Sequence, residues 1–117
     1  MIYIVEDDSS VRRSFEILLE SAGLEFKSFP SAELFLSDVN PLNHDLLLLD
    51  INLTGMNGFD LLDTLIQEKK NIPAFVITSV DDVYTRQTCK RYGVKALLRK
   101  PVDGETLIDL IHYHMQA

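Results

Sequence analysis

The sequence predicts an α/β fold, a (βα)5 three-layer sandwich around one parallel five-stranded sheet. Five short runs rich in Ile, Val, Leu and Phe, at 2–5, 24–29, 46–49, 74–78 and 96–98, alternate with longer segments of helical period. That order is the pattern of repeated βα units. Runs one, three and four are continuously apolar, as central strands covered on both faces must be, whereas 24–29 alternates like a flanking strand. The chain has 117 residues, 46% of them hydrophobic and 25% charged, which suits one core.

Each connecting segment has its own signature. After the first strand, Val11, Phe15, Leu18, Leu19 and Ala22 fall on one helical stripe that Gly23 ends. Ser31 caps a second helix carrying Ala32, Phe35, Leu36 and Val39, which stops before Pro41. A third helix runs from about Gly58, with Phe59, Leu62, Leu65 and Ile66 as its inner stripe. In 82–92 the apolar positions are sparse (Val83, Tyr84, Cys89, Tyr92) among Arg86, Gln87, Lys90 and Arg91, so this should be the most loosely held helix. Asp103 caps the last helix, which turns Leu107, Leu110, Ile111 and His114 inward. No repeat or low-complexity stretch interrupts this order, and 1–117 is expected to be one domain with no output domain in this chain.

Composition narrows the function. Eleven Lys and Arg against eighteen Asp and Glu give a net charge of −7, which disfavours direct nucleic-acid binding. The single Cys89 cannot form an internal disulfide, and the start of the chain lacks the regions of a signal peptide, so a reducing, cytoplasmic setting is expected. Apolar runs such as 46–49 fall far short of the roughly 20 residues of a membrane helix.

In open α/β sheets, ligands bind beyond the carboxyl ends of the strands. Here those exits are polar: Glu6-Asp7-Asp8 after strand one, Asp50 after strand three, Thr78-Ser79 after strand four and Lys100-Pro101 after strand five. Carboxylates gathered from two strands repel one another unless a cation is bound, and all-oxygen ligands suit a hard ion such as Mg²⁺. A Lys and a Thr hydroxyl nearby are groups that handle phosphoryl oxygens, and an Asp carboxylate can act as the phosphoryl acceptor. Asp50, alone after an apolar strand, is the candidate acceptor. Taken singly each exit has a plainer reading as a helix cap or turn residue; the coincidence of four does not. His112 and His114, two apart on a helix, face different ways and form no metal pair.

These residues resemble the receiver (phosphoacceptor) domain of bacterial two-component response regulators. The resemblance spans essentially the whole chain and rests on Ile4-Val5-Glu6-Asp7-Asp8, LLLLDINLTGMNG with Asp50 and Gly58, VITS with Thr78, and GVKALLRKP ending in Lys100-Pro101. It is closest in look to receivers that precede LuxR-type helix-turn-helix output domains. The resemblance implies a flavodoxin-like sheet order of 2-1-3-4-5, Asp50 as the phosphorylated residue, and Glu6, Asp7, Asp50 and the Asn52 backbone carbonyl as Mg²⁺ ligands. Thr78 and Lys100 would contact the phosphoryl group, and the Lys100-Pro101 bond matches a position that is often cis. A histidine kinase would be the donor, and the surface of helix four, strand five and helix five would change to control dimerisation or an output domain. Such a protein is no enzyme beyond phosphorylating itself from small donors and dephosphorylating itself.

Two positions depart from the family pattern. Thr54 stands where Pro is usual, so the loop after Asp50 should be less rigid, and Leu97 replaces the switch aromatic. Both leave room for a phosphorylation-independent interaction module of the same fold. A Mg²⁺-dependent aspartyl-phosphate phosphatase is a weaker rival, because Asn52 occupies the position of its second acid.

Overall fold

The computed structural model describes residues 1–115. Strands and helices alternate throughout: β1 (Ile2–Val5), α1 (Ser9–Ser21), β2 (Phe26–Phe29), α2 (Ala32–Asp38), β3 (Leu46–Leu49), α3 (Gly58–Gln67), β4 (Ala74–Thr78), α4 (Val83–Arg91), β5 (Ala96–Arg99) and α5 (Gly104–Met115). The sheet order is β2-β1-β3-β4-β5 with every pairing parallel, the flavodoxin-like arrangement expected from the sequence.

Side chains alternate across the sheet with a period of two, and this sorts the apolar runs into two cores. Val5, Leu47, Leu49, Ala74 and Val76 meet Phe35 of α2, Leu61 and Leu65 of α3 and Cys89 of α4 on one face. Ile2, Ile4, Leu46, Leu48, Phe75 and Ile77 meet Phe15 and Leu19 of α1 and Leu107 and Ile111 of α5 on the other. The continuous leucines of β3 are therefore buried on both sides.

Side-chain caps set the helix starts. Asp8 accepts from the N–H groups of Ser10 and Val11, Ser31 from Leu34, Asp82 from Thr85 and Asp103 from Thr106, while Asn57 and Asp60 form a reciprocal capping box. Gly23 and Gly93, at φ of +71° and +72°, supply the left-handed residues that end α1 and α4.

The structure departs from the sequence expectation in four places. The second strand begins at Phe26, because Leu24 N–H still closes the end of α1 on the Leu19 carbonyl. β5 runs one residue further, to Arg99. In α3 the inner stripe is Gly58, Leu61, Leu62 and Leu65, and Ile66 is exposed. In α4 the buried residues are Thr85, Thr88 and Cys89, while Val83 and Tyr84 face out; Tyr92, just after the helix, stacks on Phe59.

Gly58 opens α3 directly against the chain leaving β3. Its N–H donates to the Ile51 carbonyl at 2.9 Å, and a Cβ there would lie 2.7 Å from both the Asp50 carbonyl oxygen and Ile51 Cα. Both are backbone atoms with no freedom to turn away. Gly58→Ala should therefore lower stability by about 1–3 kcal/mol through overpacking, read as a fall in the urea midpoint. An unchanged midpoint would mean that α3 and the Asp50 loop can separate freely.

Candidate functional site

The parallel ladder continues one residue past the strands, and this extension places the site. Glu6 N–H donates to the Phe29 carbonyl (3.1 Å), Asp50 N–H to Val5 (3.1 Å) and Lys100 N–H to Thr78 (2.9 Å). Because β1 and β3 are neighbours, Glu6 and Asp50 emerge side by side, in rows with Ile2 and Ile4 and with Leu46 and Leu48. They are 1% and 6% exposed.

Lys100 is the cation between them. The Lys100-Pro101 peptide is cis, and Lys100 Nζ lies 2.5 Å from Glu6 Oε1 and 3.0 Å from Asp50 Oδ2. The other Asp50 oxygen accepts from Asn52 N–H at 3.1 Å. Both oxygens of the candidate acceptor are thus held in fixed directions.

The three acids of the acidic run have separate employments. Glu6 turns into the site, and its Oε2 accepts Asp8 N–H at 3.1 Å. Asp7 is more open, and its Oδ2 accepts two bonds from Thr54, one from N–H and one from the hydroxyl, each at 3.0 Å. Asp8 is committed to capping α1. One oxygen from each of Glu6, Asp7 and Asp50 lies within 4.8 Å of the others, a spacing that could hold a divalent cation.

Titration follows from these contacts. Burial pushes the Glu6 carboxyl above its ordinary value and the Asp50 charge adds to the rise, together outweighing the opposing pull of Lys100 and Asp8 N–H. Desolvation works against the Lys100 ammonium, but its hydrogen bonds to Glu6 and Asp50 prevail and hold it above the usual lysine range. Burial raises Asp7 as well, yet the two Thr54 donors reverse the balance and leave its carboxyl below the usual range.

Thr78 ends β4 between Asp50 and Lys100 in the sheet and is buried, and its hydroxyl oxygen accepts Val80 N–H at 3.1 Å. Asn52 stands at the start of the β3–α3 loop and meets Asp50 through its N–H. Sequence reasoning missed three supporting residues. Arg12 reaches back from α1 to donate to the Glu6 carbonyl at 2.9 Å. Thr54 and Glu33 hold the β3–α3 loop, Glu33 by accepting Met56 N–H at 3.2 Å. Thr54, the departure from the usual Pro, places an N–H and a hydroxyl where both are bonded, donors that Pro could not supply.

Comparison with known proteins agrees with this geometry. Nodulation protein W of Bradyrhizobium diazoefficiens is 33% identical over 111 residues, 95% of this chain and 49% of that protein. Transcriptional regulatory protein FixJ of Rhizobium meliloti is 32% identical over 110 residues, 94% of this chain and 54% of that protein. The chain thus spans about half the length of the curated relatives it matches. Among solved structures, response regulator StyR superposes with a TM-score of 0.88 at 34% identity, covering 98% of this chain and 58% of that one. FixJ-N gives 0.87 at 30% identity, covering 98% and 92%. Residues 2–112 match the family model for the response regulator receiver domain, and with this fold and these strand exits the chain belongs to that family.

Proposed function

We propose that the chain is a phosphorylation-dependent signalling switch that accepts a phosphoryl group on Asp50 from a histidine kinase, with Mg²⁺, in the cytoplasm. The carrying observation is the state of Asp50: a nearly fully buried carboxylate at a central strand exit, fixed by Asn52 N–H on one oxygen and Lys100 on the other. An Asp50 oxygen forms the new P–O bond as the donor's P–N bond to histidine breaks. Lys100 remains as a point charge beside the acyl phosphate, and Thr78 donates its hydroxyl to a phosphoryl oxygen.

The donor set of Glu6, Asp7 and Asp50 fits Mg²⁺, since it is all oxygen and leaves net negative charge beside Lys100. The Asn52 carbonyl completes the set in this reading. When bound, the ion neutralises charge on the phosphoryl oxygens during transfer.

The response belongs to α4, β5 and α5. A groove of about 500 Å³, open to solvent and lined by Thr78, Cys89, Leu97 and Arg99, lies between β5 and α4, a helix whose buried contacts are two threonines and a cysteine. Movement of Thr78 has space there, and α4 has little apolar area to hold it in one place. We read residues 1–117 as one receiver unit whose altered surface controls dimerisation or an output domain of the LuxR type.

Incubation with a small phosphodonor and Mg²⁺ should add one phosphoryl group by intact mass, and Asp50→Asn should add none; full labelling of Asp50→Asn would move the acceptor elsewhere. Lys100→Met should lose about 2 kcal/mol in metal-free buffer near neutral pH, less than a fully buried pair costs because Lys100 is partly exposed. The loss should shrink on acidification. Glu6, whose native value is already raised, stabilises the fold least once pH has risen through that value, and without Lys100 the value climbs further. Urea unfolding between about pH 5 and 7 reads this, and a pH-independent loss would show that Lys100 does not hold the Glu6 charge.

A further inference from the structure

The β3–α3 loop is tied by side-chain contact to the β1–α1 loop. Thr54, four residues beyond Asp50, donates both its N–H and its hydroxyl to Asp7 Oδ2 across 47 positions of sequence. A carboxylate oxygen has room for about two donors, so Oδ2 is filled and Oδ1 is the oxygen left to a cation. The same loop is pinned from the other side by Glu33, whose Oε2 accepts Met56 N–H and lies 2.6 Å from where a Cβ on Gly55 would be. Gly55 itself has φ +79°, the left-handed region that lets the chain pass Glu33 so closely.

We propose that Thr54 is a positioning residue for the divalent cation: its paired donors fix the rotamer of Asp7 and tie that acid to the loop bearing Asn52. Two ligands contributed by different strand exits then hold their spacing before the ion arrives. The fixed rotamer removes the ordering cost of a free carboxylate. A proline at position 54 would supply neither donor, and an aliphatic residue only the N–H. The inference rests on the reading above, in which Asp7 holds Mg²⁺.

The test is a titration of the chain with MgCl2, followed by backbone amide shifts in NMR, for wild type, Thr54→Val and Thr54→Ser. Thr54→Val should bind Mg²⁺ about 10-fold more weakly, the usual scale for losing a partner behind a metal ligand, and Thr54→Ser should regain most of that affinity. Equal or tighter binding by a folded Thr54→Val overturns the proposal. So does equal weakening in Thr54→Ser, since a merely structural methyl would then be the cause. In wild type, hydrogen exchange at the Thr54 amide gives a second reading that needs no variant. Protection should persist or rise with MgCl2, whereas its loss would mean that Asp7 abandons Thr54 to take the ion. If wild type itself takes up no Mg²⁺, the metal reading falls and this inference with it.

Discussion

One ammonium holds together the ends of three strands. Glu6 and Asp50 leave adjacent parallel strands in register and are buried side by side, an arrangement that Coulomb repulsion and desolvation both oppose. Lys100 arrives from the sheet edge, two strands and about 10 Å from β3 by ordinary strand spacing, and lies between them. A buried ion cluster of this kind adds little net stability compared with apolar side chains of the same volume. Its presence is therefore informative about use. The apolar ladders below could have continued as leucines, and they stop at the level where the charges gather.

Contacts around Glu6 and Asp50 keep that cluster in one geometry. Arg12 ties α1 to the Glu6 carbonyl, Asp8 caps the same helix, and Gly58 brings α3 into contact with the Asp50 backbone. Thr54 and Glu33 fasten the intervening loop to the β1–α1 loop and α2. Where a proline would restrain the loop through its ring, this chain bonds it to two carboxylates. Such bonds can be altered by whatever binds the carboxylate, so the loop's order and the site's charge are linked.

Much of this was legible in the sequence because burial on both faces leaves an unmistakable trace. The stretches 46–49 and 74–77 have no polar residue to misplace, and the polar residue that follows each, Asp50 or Thr78, stands where the ladder carries it. Legibility failed where the cause was not local. Leu24 looks like strand but is held by the last turn of α1, and Ile66 sits on a plausible stripe yet is exposed. Thr85 and Thr88 are polar by composition, yet both are buried, and the Thr88 hydroxyl is satisfied on its own helix at the Tyr84 carbonyl. The Thr54–Asp7 pair joins residues with no periodic relation, and only the closure of the sheet brings them together.

These threonines explain the asymmetry between the two halves of the molecule. A buried Thr contributes less apolar area than a Leu, at about 25 cal/mol per Å², so α4 is held more weakly than α3, whose inner face carries three leucines. A ligand shifts a two-state element only by its differential affinity for the two states, so a weakly held helix needs the smallest difference to move. Thr78 stands where the two halves meet, at the end of a fully buried strand and on the wall of the groove between β5 and α4. Its hydroxyl accepts Val80 N–H, so the same residue ends the central strand and begins the chain's path into α4.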